Sequence, residues 1–381
     1  MKNGIQKYMA VAVCIAAAFL SSCAPSRQFL IDQGKNVSAR ESSYVKILVL
    51  KTSSPVHLSS SGAIRVMDLS KGTIAHESGL KKIVFSKEIV KDPLRVDTAN
   101  GIIEIGGSAF RGMVEIHNSM GSLLVINVVK IEDYLLSVVP SEISPSWPQE
   151  AIKAQAVAAR TYAYYHILKK INKLYDLDAT TASQVYKGMK VEAEPTTKGV
   201  RDTEGEIMIY QNQPIVAFFH STCGGKTTDN DSVWKGEKIP YLEGRVCRYC
   251  SESPYYRWDE NMSMTDMRMI VSSRYPAVKK IKGIQFTRLQ GRVVDASIRH
   301  DGGMLNITGN EFRMIFPEKR IKSMYFEASK KGRSLHFSGR GWGHGVGMCQ
   351  YGARGMAVKG IGYRNILSFY YKNVRIEKII K

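Results

Sequence analysis

Glu142 is a lone carboxylate in the run Val138-Val139-Pro140-Ser141-Glu142-Ile143-Ser144-Pro145-Ser146-Trp147. A carboxyl held among apolar groups has its charged form disfavoured and its pKa raised, which is what a general acid requires. Pro140 and Pro145 stiffen the segment, read here as a loop, and limit the freedom of a group that must be aimed at one bond. The alternative is a surface glutamate ahead of a helix, where the helix dipole mildly favours negative charge.

A second pattern is His220-x-x-Cys223 followed by Cys247-x-x-Cys250. Four soft ligands in two pairs match a tetrahedral zinc site, and the histidine in first position favours it. Two disulfides are the rival in an exported chain, and Cys349 could join them. A closed four-ligand site leaves no position for water, so zinc here would staple a loop. A catalytic zinc acting on peptide is a separate class: chelation would stop its chemistry in a protein that stays folded. "GGKT" does not make a phosphate loop, because that spacing needs glycine where His220 stands. The third block, "SGRGWGHGVGMCQYGARG", has glycine at every second position from Gly339 to Gly347. Glycine at this density permits close backbone approach by a ligand or another chain segment.

These groups need a scaffold, and the text supplies one in sections. From Tyr44 to about Lys130, short apolar runs such as "VKILVL", "GIIEIGG" and "MVEIHNSMGSLLVINVV" are broken by Gly, Ser and Asn, which predicts an antiparallel β-rich lobe. Asn118 to Gly121 carries its turn chemistry. At Trp147 the period changes: Ala151, Ala154, Ala158, Tyr162 and Tyr165 recur at helical spacing through Lys170, with Ser146 as cap and Pro148 in the first turn. The many alanines let other backbones approach, so this helix is expected to be central and buried. "EIMIY", "QPIVAFFH" and "GRVVDASIRHDGGMLNITG" return to strand patterns, and "GYRNILSFYYKN" reads as a final helix. The expected class is α+β, a β-rich lobe joined to a core around one buried Ala-rich helix, with a glycine-rich loop and a C-terminal helix.

Among 381 residues, 54 Lys and Arg against 34 Asp and Glu give a formal charge of +20. Such a field draws a protein toward anionic polymers or lipid head groups, although a basic surface with no single partner is an equal reading. Lys2 and Lys7 precede an apolar run from Tyr8 to Leu20 that is too short to span a bilayer and ends in Leu-Ser-Ser-Cys23. This reads as an export signal, 1–23, whose Cys23 would carry a lipid, as in bacterial lipoproteins; a simple anchor or a secreted soluble protein is the alternative. Residues 24–43 are polar and read as a tether. An exported chain meets wall polymers and membrane phosphates before nucleic acid, so nucleic acid is not an expected partner.

The blocks "NVVKIEDYLLSVVPSEISPSWPQEAIKAQAVAARTYAYY" (with Asn127 as the first matched position), "TTASQVYKG", "FFHSTCGGKT" and "GRGWGHGVGMCQYGARGMA" resemble the stage II sporulation protein D and LytB-like family of bacterial envelope proteins. The resemblance runs in order from about Asn127 to Tyr371 and sets expected boundaries of 44–126 for the β-rich lobe and 127–381 for the family core, with the Cys/His loop at 220–250. It implies a lytic transglycosylase that cuts peptidoglycan between N-acetylmuramic acid and N-acetylglucosamine and leaves 1,6-anhydro ends. The family's catalytic glutamate falls on Glu142. In that chemistry the acid protonates the leaving oxygen, the muramic C6 hydroxyl closes on C1, and the same carboxylate takes up the hydroxyl's proton. An ordinary glycosidase needs a second carboxylate, and Glu150 reads instead as a structural acid on the helix.

On this reading Gln184 and Tyr186 offer an amide and a phenol to sugar hydroxyls and acetamido groups, or they hold their loop. Trp342 could stack on a pyranose face, and His344, Gln350 and Tyr351 could bond to sugar or to Glu142. The alternative is a tight glycine turn packed on the Ala-rich helix, with His344 bonding backbone. Arg160 is a candidate contact through an acid near the site, or one half of a structural ion pair with Glu142 or Glu150. Some members of the family bind zinc through His and Cys in this region. LytB-like relatives are described as enhancers of wall amidases, so a glycan binder without catalysis, partnered by an amidase, stands as the second class.

Overall fold

The computed structural model describes residues 44–317 and 320–379. Cys23, the export signal and the tether therefore lie outside the described residues. The architecture is α+β, with several antiparallel sheets and seven α-helices among the described residues.

In the β-rich lobe the strands Tyr44–Thr52, Ser122–Lys130, Met113–Ser119, Leu94–Thr98, Ile64–Asp68 and Thr73–Ser78 lie side by side in that order, all antiparallel. A second sheet of four strands, Lys82–Phe85, Val56–Ser59, Ile102–Ile105 and Ser108–Arg111, shares its core. Period-two burial, as in Ile64–Asp68 where Ile64, Val66 and Asp68 point inward, is the signature of strands with one wet face. The Asn118–Gly121 turn closes on Met120 and Gly121, both with positive φ, which matches the twist of a two-residue hairpin.

Strand Ser122–Lys130 runs straight into the first helix, α1 (Ile131–Glu142). This helix corrects the reading of the segment as a loop. Ile131, Tyr134, Leu135, Val138 and Val139 are buried at helical spacing, a stripe that Pro140 conceals in the sequence. Proline costs a helix an N–H, and here it sits in the last turn, where the chain is about to leave the helix anyway.

The Ala-rich helix α2 (Gln149–Lys169) is buried on nearly every side, as a helix without a polar face must be. Its cap differs from expectation: Pro148 occupies the N-cap position, and the Ser146 hydroxyl pairs with that of Ser144 at 2.9 Å. Around it pack α1, α3 (Glu194–Asp202) and two later helices. Arg160 lies in the middle of α2, fully buried, and grips both carboxylate oxygens of Glu132 at 2.9 and 2.8 Å. Its remaining N–H groups reach the Glu206 and Val200 carbonyls at 3.2 Å each. Arg160 therefore ties α1 to α3 and does not face substrate, and its acid is Glu132 rather than Glu142 or Glu150. Arg160→Met is expected to destabilise the fold by about 3–5 kcal/mol, since it strands a carboxylate and two carbonyls; chemical denaturation would show it as a lower midpoint at unchanged slope.

Farther along, "QPIVAFFH" is strand only at its ends, Gln213–Pro214 and Phe219–His220. Strands Ile281–Leu289, Arg292–His300 and Gly303–Thr308 form a three-stranded sheet; α5 (Gly309–Ile315) packs on it, with Phe312 against Phe286, and α4 (Met264–Arg274) packs on α5. This unit is inserted between strand Trp258–Ser263 and its partner Ser334–Gly339. Then come α6 (Gln350–Val358) and α7 (Tyr363–Tyr370), both packed on α2, and after them a strand, Arg375–Lys378, that pairs antiparallel with Glu206–Tyr210. Glu150 accepts the Tyr363 N–H at 2.8 Å and so caps α7.

Candidate active site and cysteine cluster

Glu142 is the last residue of α1, at the negative end of that helix dipole rather than ahead of a positive one. Its carboxyl borders a cavity of about 320 Å³ whose walls include Ile143, Trp147, Ser221, Gln350 and Tyr351. Burial raises the pKa of Glu142, partly offset by the Val185 N–H and the Gln350 amide, which bond to the carboxyl. The Val185 N–H reaches Oε1 at 2.9 Å. Among the described residues, no other carboxylate lines this cavity.

The loop that presents Val185 is pinned from below. Gln184 is fully buried; its Oε1 accepts the Tyr134 hydroxyl at 3.1 Å and its Nε2 points to the Ala159 carbonyl at 3.4 Å. Tyr186 donates its hydroxyl to Asn127 Oδ1 at 2.7 Å, and Lys187 N–H bonds the Ser137 hydroxyl at 3.0 Å. Gln184 and Tyr186 thus hold the loop and are turned away from the cavity. Their spacing around Val185 serves one backbone N–H, a role invisible in side-chain chemistry.

The far wall comes from two short parallel strands, Phe219–His220 and Met348–Cys349, extended by Ser221 and by the start of α6. Gln350 lies beside Glu142, and its Nε2 also meets Gln155 Oε1 at 3.4 Å. Tyr351 stands edge-on to Trp147 with ring centres 5.0 Å apart, and its N–H bonds the Ser221 carbonyl. In the sequence Trp147 marks only an apolar neighbour of Glu142 and the change of period, and nothing in Ser221 itself marks it as a wall residue.

The glycine block explains this wall. A Cβ on Gly347 would lie 2.1 Å from the Phe218 carbonyl, and one on Gly341 2.4 Å from that of Thr222. Both have positive φ. Gly341, Gly343 and Gly347 therefore admit the 218–224 segment, while Gly339 meets Trp258 and Gly345 the Arg292 side chain; what approaches the block is the same chain, and not the Ala-rich helix. His344 bonds backbone on both ring nitrogens: Nε2 meets the Phe219 carbonyl at 2.9 Å and Nδ1 the Val346 N–H at 3.1 Å. Burial holds its pKa well below the ordinary value, so it is a neutral structural group. Trp342 pairs its backbone with Thr222 and packs edge-on against Tyr255, 4.1 Å between centres; it does not line the Glu142 cavity. Of the expected contacts, only Gln350 and Tyr351 reach that cavity.

The cysteine cluster consists of Cys223, Cys247, Cys250 and Cys349, whose sulfurs all lie within 4.8 Å of one another. Cys349 stands where His220 was expected. His220 instead turns its Nδ1 to the Val346 carbonyl at 3.1 Å, and burial lowers its pKa to about 3. The donor set fits zinc: four thiolates at the usual 2.3 Å bond length sit about 3.8 Å apart, and Cys223 and Cys250 are 3.5 Å apart. Around the sulfurs, the Cys223 and Gly352 N–H groups point at Cys349 at 3.2 and 3.3 Å, and the Tyr370 hydroxyl lies 3.2 Å from Cys247. Such outer bonds orient thiolate ligands. Cysteine arithmetic points to the set, because setting aside Cys14 and Cys23, which fall in the segment read as an export signal, leaves four.

This arrangement belongs to the stage II sporulation protein D family. The family described as Stage II sporulation protein matches residues 119–210, and a domain of unknown function matches 248–347. An uncharacterized protein of Brachyspira hyodysenteriae is 36% identical over 291 residues, 76% of this chain and 77% of that one. Stage II sporulation protein D of Bacillus amyloliquefaciens is 30% identical over 66% of this chain and 75% of its own. The amidase enhancer of Bacillus subtilis is 30% identical over 62% of this chain, which covers 39% of that longer protein.

Proposed function

We propose that this chain is a bacterial cell-envelope protein that acts on the wall as a peptidoglycan lytic transglycosylase, with Glu142 as acid and then base. The observation that carries the reading is the solitary carboxyl at the cavity: hydrolysis of a glycoside uses two, whereas intramolecular closure needs one. Glu142, whose proton is held more tightly because of its burial, gives that proton to the oxygen leaving N-acetylmuramic acid C1. The muramic C6 hydroxyl attacks C1 and passes its proton to the carboxylate, which restores the acid and leaves a 1,6-anhydro ring. Tyr351 and Trp147 supply apolar faces for sugar rings, and Gln350 and Ser221 supply hydrogen-bonding groups.

The cysteine cluster is assigned a structural zinc ion held by Cys223, Cys247, Cys250 and Cys349. When bound, it would fix the segments that carry Ser221 and Gln350. An N-terminal lipid on Cys23 would place the protein on a bacterial membrane within reach of glycan strands.

Digestion of purified glycan strands with the full chain, followed by mass spectrometry, tests the activity. Products lighter by one water than hydrolytic ends are expected; intact strands would overturn it. The relative named amidase enhancer favours a second reading, glycan binding that stimulates a wall amidase. Faster amidase turnover without any anhydro product would select it.

A further inference from the structure

Met120 is the apex of the hairpin between strands Met113–Ser119 and Ser122–Lys130, and its side chain is as open to solvent as in an extended peptide, 103% exposed. Its φ of 50° is left-handed, a conformation that hairpin turns normally give to Gly, Asn or Asp because other side chains cost energy there. Neither packing nor turn chemistry therefore explains a methionine at this position. A second apolar tip stands beside it. Ile89 lies in a turn whose Ile89 and Val90 N–H groups donate to the Ser86 carbonyl, and it is 65% exposed while Val90 is fully buried. The Asn118 side chain, two residues before Met120, clasps this turn on both sides of Ile89: its Nδ2 donates to the Lys87 carbonyl at 2.8 Å and to the Val90 carbonyl at 3.1 Å. The two tips are thus tied together at one end of the β-rich lobe.

The same end carries a surplus of cations. Lys71, in the turn between Ile64–Asp68 and Thr73–Ser78, is matched by Asp68 at 2.9 Å and Asp92 at 3.6 Å. That leaves the exposed Lys87 and Lys91, which flank Ile89, and the exposed Lys51, whose strand partner Leu124 follows the hairpin, against the one acid Glu88. Protruding apolar side chains ringed by lysines match the two layers of a lipid surface, acyl chains below and phosphates above. Two convex turns offer far less than the roughly 800 Å² per partner of a stable protein interface, whereas a bilayer receives a protruding side chain without a shaped counterpart.

The geometry points to a membrane-docking tip on the β-rich lobe: Met120 and Ile89 enter the interface of an anionic bilayer, and Lys51, Lys87 and Lys91 meet its phosphates. The site is separate from the Glu142 cavity and does not rest on the chemistry proposed there. It is compatible with a lipid on Cys23. The strand Tyr44–Thr52 starts at the far end of the lobe and is about 30 Å long, and residues 24–43 at full stretch cover about 65 Å, enough to bring both attachments to one bilayer.

Co-sedimentation with vesicles tests it, using the chain from Ala24 on, which keeps every described residue and carries neither export signal nor lipid. Vesicles of equimolar phosphatidylcholine and phosphatidylglycerol are expected to bind it about tenfold more tightly than phosphatidylcholine alone. Ile89→Asp and Met120→Asp should each lower that affinity about tenfold. Met120→Gly separates docking from folding: it should weaken binding while the thermal midpoint stays level or rises, because glycine suits the left-handed turn. In Met120→Trp the new indole should be quenched by brominated lipid. A parent that binds both vesicles alike or neither, tip variants that bind like the parent, or an indole that brominated lipid leaves unquenched would overturn the tip. A dimer of the parent that Met120→Asp splits would assign the tip to a second copy of the chain instead. None of these outcomes bears on Glu142, whose activity is measured on glycan strands in solution.

Discussion

Glu142→Gln is expected to lower the rate of anhydromuramyl product formation about a thousandfold while leaving glycan binding intact. The amide keeps the shape and the Val185 N–H bond to Oε1 but cannot give up a proton, and positioned acid–base groups are worth about two to four powers of ten. The same group sets the pH profile. Its pKa is raised by burial, so it stays protonated below that raised value, and the rate should fall as pH rises through it. Gln350 helps the charged form; Gln350→Ala should push the pKa higher still and move the descending limb to higher pH. Stability moves in the same sense. A carboxyl whose folded pKa exceeds its unfolded one contributes stability at acid pH that is lost as pH rises through the folded value. Glu142→Gln removes that loss, so its thermal midpoint at neutral pH should equal or exceed the parent's. A variant that cuts as fast as the parent, or a profile that rises where it should fall, would take Glu142 out of the chemistry.

The legible parts of this molecule were those in which one residue type repeats at one period. Alternating burial marked the β-rich lobe, and the alanines of α2 marked a helix with no polar face. Glu142 was legible because its apolar neighbours are also its neighbours in space. What was not legible has two causes. Pro140 conceals α1, although Ile131, Tyr134, Leu135, Val138 and Val139 carry its stripe, because two prolines five residues apart read as a stiffened loop. Arg160, Gln184, Tyr186 and His344 are polar groups with full hydrogen-bonding capacity, and sequence cannot say whether a partner is substrate or buried backbone. In each case the partner is protein. Buried polar groups must be satisfied, so long-range backbone carbonyls and amides consume side chains that look free in one dimension. The glycine block shows the same limit: its spacing announces close approach, and only the fold says that what approaches is residues 218–224, Trp258 and Arg292 of the same chain.

Removing one cysteine of the cluster is the second large effect expected, and Cys349 is the informative choice. Its sulfur is the ligand farthest in sequence from the Cys-x-x-Cys pair, and the next two residues, Gln350 and Tyr351, line the Glu142 cavity. Cys223 lies two residues beyond Ser221 of the same wall, so the cluster ties both segments together. Protein purified without chelator should carry one zinc per chain, and Cys349→Ala should lose it. Zinc held by four thiolates contributes about 10 kcal/mol or more to folding of small domains, and even a third of that would lower the thermal midpoint of a chain this long by about 5 °C. Sugar binding should weaken in parallel, since the freed start of α6 no longer fixes Tyr351 against Trp147, whereas a stapling role confined to the loop would leave affinity unchanged. His220→Ala should keep the metal, because that ring is bonded to the Val346 carbonyl and lies outside the four-sulfur set. Metal analysis and intact mass decide between zinc and the disulfide alternative. A chain with no bound metal and a mass four hydrogens short of the reduced value would mean two disulfides, and the assignment of Cys223, Cys247, Cys250 and Cys349 as zinc ligands would fall.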